Sequence, residues 1–135
     1  MNKIKDCIPK RCELGGVEFT TKFHDDPSHA GTYGEIEYPT GDIRIEATIR
    51  GLKQAHTQIQ NTYFHELAHG IFMSIGRDDL RQDEVLVQGV GNMIFEFLRT
   101  CDWIHIQELK HNNESERTFN MQTLRLNPND TCAKD

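Results

Sequence analysis

Residues 65–69 read His-Glu-Leu-Ala-His. On a helix, two histidines four apart sit one above the other, so both imidazoles can aim a nitrogen at one metal ion. Glu66 follows the first histidine by about 100° around the helix axis, which puts its carboxylate beside such a metal rather than on it. There it can take a proton from a water that the metal activates. Two neutral imidazoles suit Zn2+, and a catalytic zinc takes a third protein ligand while keeping a fourth position open. The spacing therefore predicts hydrolysis by activated water, with one zinc per chain, His65 and His69 as ligands and Glu66 as general base. The bland alternative is a pair of hydrogen-bonded core or surface histidines.

The elements around the motif favour the chemical reading. Ile59, Tyr63, Leu67, Ile71 and Ile75 recur at helical spacing, and Phe64, Ala68 and Phe72 widen the apolar surface. Gly76 offers a C-cap. This predicts a helix that begins between Gly51 and Ala55, with polar first turns and a solvated His56, and ends near Ile75. Two unpartnered imidazoles inside a buried helix would be costly. A second helix is expected from Leu80 to Arg99, with a stripe of Leu86, Val90, Met93 and Phe97 widened by Val87, Ile94 and Leu98. Gly89 and Gly91 are unfavourable inside a helix. Their presence points to another element packed close, with the motif helix as the candidate.

The third ligand is not fixed by the motif. Gly at 72 and His at 75 would complete a longer His-rich pattern, but Phe72 and Ile75 stand there, which excludes it. The remaining candidates are Asp78, Asp79, Asp83, Glu84, Glu96, His105 and His111. Glu96 points away from the apolar stripe, and the two histidines need the chain to fold back. Asp83 is also a good N-cap. Spacing alone leaves Asp83 and Glu84 as equals. Tyr33, Tyr38, His24, His29 and His105 are conceivable donors to an oxyanion.

Upstream, residues 9–23 read as a hairpin turning at Gly15-Gly16, followed by a loop from His24 to Gly31 and a second β-region from Tyr33 to Tyr38. Residues 42–49 alternate strictly, with Ile43, Ile45, Ala47 and Ile49 on one face and charges on the other. A strand beside a metal cleft could pair with an extended peptide, its charged face then acting as a specificity surface. An ordinary strand with a solvated face accounts for the same pattern.

Tyr33-Gly34-Glu35-Ile36, the strand at 42–49, the His65–His69 motif and an acidic helix opening at Asp83-Glu84-Val85-Leu86-Val87 together resemble the small phage and bacterial metallopeptidases of the ImmA/IrrE-like group, a gluzincin-type family. The resemblance covers roughly residues 30–100. It implies that Glu84 is the third ligand, that the substrate is a peptide or protein, and that this substrate belongs to the regulatory proteins of a phage or mobile element. The Ala-Asn-x-Phe-Ala continuation of the family is replaced here by Gly89-Val90-Gly91-Asn92. No helix-turn-helix segment accompanies the domain.

Length and composition set the frame. A chain of 135 residues fits a single domain able to bury its own core. Its net charge of -6 argues against nucleic acid as a partner. No apolar run reaches membrane-spanning length, and the first residues lack the apolar core of a signal peptide, so a cytoplasmic protein with four free thiols is expected. Oligomeric state is not legible. The expected fold is α+β: a small antiparallel or mixed sheet packed against the motif helix, with a second, Glu-bearing helix crossing behind the metal. The domain spans 1–126, a short helix includes Trp103, Ile106 and Leu109, the stretch 118–126 adds a strand or runs over the surface, and 127–135 forms a tail. The alternatives to a zinc peptidase are a silent binding or regulatory module on the same fold, and a zinc hydrolase of a non-peptide substrate.

Overall fold

A computed structural model describes residues 6–25, 32–104 and 106. The chain divides into two compact units, Met1–Cys101 and Asp102–Asp135, and the strands and helices named here belong to the first. The expected helix around Trp103 to Leu109 falls largely outside the described residues. The stretch 118–126 and the tail 127–135 fall wholly outside them.

The fold is α+β with a small mixed sheet. Strands β1 (Arg11–Leu14) and β2 (Val17–His24) form the expected hairpin, followed by β3 (Gly34–Glu37) and β4 (Asp42–Glu46). Their order across the sheet is β1-β2-β4-β3, with β2 and β4 parallel and the other neighbours antiparallel. Phe19, Ile43 and Ile45 point to one face and are fully buried with Tyr63 and Phe64 of the helix α1 (His56–Ser74). No helix among the described residues is long and apolar enough to cross a membrane.

Two expectations for residues 42–49 need correction. The strand ends at Glu46, because Ala47 is pinned: its N–H donates to the His24 carbonyl and its carbonyl accepts from Gln54, both at 2.9 Å. The chain then folds back as a short hairpin of β5 (Thr48–Ile49) and β6 (Leu52–Lys53), turning at Arg50 and Gly51, whose φ values are 51° and 78°. Nor is β4 available to a peptide, since β2 and β3 pair with it on both sides. The edge strand beside α1 is β3. The charges of β4 are also internally matched: Arg44 reaches Glu37 at 2.6 Å and Glu35 at 3.7 Å, and Glu46 is buried.

The second helix is broken in two, a four-residue α2 (Asp78–Arg81) and a long α3 (Glu84–Thr100). The break follows from Asp83, whose side chain accepts from Leu86 N–H at 3.0 Å and starts a fresh helix. Leu86, Val87, Val90, Ile94 and Leu98 of the expected α3 stripe pack inward, but its Met93 and Phe97 edge does not. Val87 and Gly91 are buried, whereas Met93 and Phe97 are 72% and 61% exposed. Gly91 is the pivot: a Cβ there would lie 2.8 Å from the Phe64 carbonyl oxygen and 3.0 Å from the His65 nitrogen. Only a residue without a side chain lets α3 approach α1 so closely, and this line of contact puts Glu84, Val87, Gln88 and Gly91 on the inner face. Gly89 meets nothing within 4 Å, so of the two glycines only Gly91 marks a close contact.

The two glycines should therefore respond in opposite directions. Gly89→Ala should stabilise the protein by about 0.5–1 kcal/mol through helix propensity alone. Gly91→Ala should destabilise it by about 1–3 kcal/mol, because backbone rather than a yielding side chain opposes the new methyl. Urea denaturation of both variants measures the pair.

Candidate metal centre

Helix α1 runs between the sheet and α3, and one side of it forms the floor of an open cleft of about 680 Å³. Gln58, Asn61, Thr62, His65, Glu66, His69 and Met73 lie along this floor at helical spacing. Residues 32–36 supply one wall, and Arg81, Glu84 and Gln88 the other.

His65 and His69 converge as their spacing requires, with their Nε2 atoms 3.1 Å apart. Each ring is oriented from behind. His69 Nδ1–H donates to the Arg81 carbonyl at 2.9 Å, and His65 Nδ1–H donates to Gln88 Oε1 at 3.0 Å. Gln88 is itself held, its Nε2 donating to Asn92 Oδ1 at 2.7 Å. With both Nδ1 atoms protonated, both Nε2 atoms carry lone pairs, and the two lone pairs face one another. Glu84 completes the group, its carboxylate oxygens lying 3.2 Å from His65 Nε2 and 3.5 Å from His69 Nε2. Tetrahedral ligands about 2.0–2.1 Å from one ion stand about 3.3 Å from each other, a spacing the two nitrogens match. The Glu84 contacts use different oxygens, Oε2 toward His65 and Oε1 toward His69, and with one atom from each residue the three donors lie within 4.8 Å of one another, close enough to share one ion. The donor chemistry fits as well: two neutral imidazoles and one carboxylate, with the cleft open on the fourth side.

The other candidates for third ligand go elsewhere. Asp83 caps α3, Asp78 and Asp79 bond to Arg81 and Arg77, and Glu96 is exposed on the outer side of α3. His105 and His111 lie outside the described residues. Among the described residues, His65, His69 and Glu84 form the group able to hold a metal ion. Of the conceivable oxyanion donors, Tyr33 lines the cleft, Tyr38 packs against Phe19, and His24 is held on β2 with a buried Nε2 that has no hydrogen-bond partner. His29 and His105 are outside the described residues. His56 is exposed and faces Asp6 at 3.4 Å, away from the cleft lining.

Glu66 sits beside this group. Gly34 makes room for it, since a Cβ there would meet Thr62 Cγ2 at 2.6 Å and Glu66 Cγ at 3.1 Å. The edge strand can thus lie flat on α1, and Ile36 N–H donates to the Glu66 carboxylate. Burial pushes the Glu66 pKa up to about 7, the negative charge of Glu84 adds to this, and the Ile36 N–H opposes it. Burial also holds the His69 imidazole below its ordinary value, which keeps it neutral and able to bind a cation.

Gln88 was not anticipated from the sequence, although it stands four residues after Glu84 and so on the same helix face. The Arg81 carbonyl leaves no sequence signal, because a backbone group has no residue type. No family model, curated protein or solved structure matches the chain.

Metal analysis with chelator competition should find one zinc per chain, lost in Glu84→Ala. Gln88→Ala should keep the ion but weaken it about 10–100-fold, as expected for a group that orients a ligand. Asp83→Ala should keep the zinc and lose about 1 kcal/mol of stability as a missing cap.

The Glu66 pKa makes a separate prediction for the metal-free protein. Between the ordinary value of 4.5 and about 7, the unfolded chain releases this proton while the folded chain retains it, so rising pH favours unfolding. Glu66→Gln removes that penalty. Its stability relative to wild type should climb by up to about 3 kcal/mol from pH 4.5 to 7 and level off above, as read by urea denaturation in chelator.

Proposed function

We propose that this chain is a zinc-dependent metallopeptidase of minimal zincin-like build, in which His65, His69 and Glu84 hold the metal and Glu66 is the general base. The observation that carries this reading is the convergence of three donors, two imidazole Nε2 atoms 3.1 Å apart with a Glu84 oxygen facing each at 3.2 and 3.5 Å, and a buried carboxylate beside them. A zinc ion in that position supplies a water of lowered pKa and a Lewis acid for a carbonyl oxygen. Glu66, buried beside the three donors, is placed to take the proton from the attacking water and to return it to the leaving amine. Tyr33, exposed on the cleft wall, is the side chain best situated to donate to the oxyanion.

A peptide substrate is favoured by the edge strand. Tyr33 pairs with Glu46 by hydrogen bonding, so the alternation of an antiparallel ladder turns the backbone groups of Gly34 and Ile36 away from β4 and toward the cleft. Ile36 N–H is taken by Glu66, but among the described residues nothing pairs with Gly34 N–H or the carbonyls of both residues, which leaves them for an added strand. The resemblance to the ImmA/IrrE-like peptidases favours a regulatory protein of a phage or mobile element as the substrate.

The test is the zinc-loaded protein on a proteome-derived peptide mixture, with cleavage products read by mass spectrometry. Glu66→Gln should keep its zinc and lose about 10²–10⁴-fold in rate. Cleavage by Glu66→Gln at the wild-type rate would sink the mechanism. Zinc bound at the site with no Glu66-dependent hydrolysis would favour a binding module instead.

A further inference from the structure

Among the described residues lining the cleft, Arg81 is the sole Arg or Lys. Its backbone is fixed to the centre, since its carbonyl accepts from His69 Nδ1. Its side chain is anchored at the root, Nε donating to Asp78 Oδ1 at 3.1 Å, and no described residue accepts from its two Nη amines. The acidic residues of the same cleft are each engaged: Glu35 with Arg44, Glu66 with the Ile36 N–H, and Glu84 with the two histidines. A guanidinium with its outer edge open, half-sheltered in a cleft, can donate two parallel hydrogen bonds to a carboxylate.

The cleft also has a direction. Gly34 lies against Thr62 and Glu66, whereas Ile36 lies against Gly70, so β3 and α1 run in the same sense. Met73 and Arg81 sit toward the C-terminal end of α1, and Gln58 and Asn61 toward its N-terminal end. A peptide added antiparallel to β3, the more stable mode of pairing, runs against α1. Its amino-terminal part then passes Met73 and Arg81, and its carboxyl-terminal part passes Thr62, Asn61 and Gln58. A free C-terminal carboxylate would point to the end where no described lining residue is a cation.

We infer that Arg81 is a specificity-determining residue that reads an acidic side chain on the amino-terminal side of the scissile bond. The inference rests on the peptidase reading and adds the substrate class to it.

Peptide-mixture profiling of zinc-loaded wild type should show Asp or Glu enriched within a few residues on the amino-terminal side of the cut. In synthetic peptides that differ only by Glu or Gln at that position, kcat/KM should favour Glu by about tenfold, the scale of one charge-assisted hydrogen bond. Arg81→Gln should erase that ratio, Arg81→Glu should turn the preference toward Lys, and Arg81→Lys should retain part of it. Zinc content equal to wild type checks each variant, and if one variant loses zinc, the wild-type Glu/Gln ratio and Arg81→Lys decide the matter. Glu66-dependent cleavage with no acidic preference, with the preference on the carboxyl-terminal side, or with a requirement for a free C-terminus would overturn the inference while leaving the peptidase reading intact. An Arg81→Gln protein that keeps the full Glu/Gln ratio would overturn it too. Absence of any Glu66-dependent cleavage would reject the peptidase reading and this inference with it.

Discussion

Two imidazole nitrogens with opposed lone pairs, 3.1 Å apart in a partly buried cleft, are the constraint around which the rest of the unit is arranged. Neither nitrogen can donate to the other once Gln88 and the Arg81 carbonyl have taken the Nδ1 protons. Such a pair is unfavourable by itself and would be relieved by a cation or a shared proton, and the third candidate donor comes from another element. The break between α2 and α3 meets both needs at once. Ending α2 at Arg81 leaves a carbonyl at a helix C-terminus without its helical partner, and His69 uses it. Starting α3 afresh at the Asp83 cap puts Glu84 in its first turn, aimed at the histidines. A continuous helix from Leu80 onward would have consumed the Arg81 carbonyl in its own ladder.

The cleft walls depend on two close approaches to α1 from opposite sides. Gly91 brings α3 against the backbone at Phe64 and His65, and Gly34 brings β3 against Thr62 and Glu66. A side chain at either position would push a wall outward. The donors of the centre come from both sides of that gap, with Gln88 and Glu84 on α3 and the Ile36 N–H on β3. Tight packing at positions that carry no chemistry thus sets the geometry of those that do.

Local patterns made much of this legible. The motif helix, the Gly15-Gly16 hairpin and the inward Ile43 and Ile45 are all local periodicities, and each appears in the structure. What the chain concealed was non-local or backbone-borne. Alternation in residues 42–49 says that a strand is half-buried, but not that it lies between β2 and β3, nor that Ala47 is held by His24 and Gln54. Periodicity in α3 identifies Leu86, Val87, Val90, Ile94 and Leu98, which pack inward, but not that the contact line passes through Gly91 and leaves Met93 and Phe97 exposed, because a close backbone approach carries no hydrophobic signal. For the site, His65, Glu66 and His69 follow from spacing. Asp83 and Glu84 could be separated only by the cap that one of them makes.

Glu66 and Glu84 are the same residue type a few ångströms from the same centre, and environment alone separates their roles. Glu84 opens a helix at the solvent-exposed cleft rim and turns its two oxygens toward the two imidazoles. Glu66 is buried, and its ionised form is opposed first by desolvation and then by the charge of Glu84. The second of these causes is conditional. Any cation seated between Glu84 and the two imidazoles cancels the Glu84 charge, and the Glu66 carboxylate then ionises more readily beside it. On the proposed function, Glu66 is therefore readier to act as a base with the centre filled than with it empty. This coupling needs no moving part: it follows from placing one carboxylate among the donors and burying the other behind them.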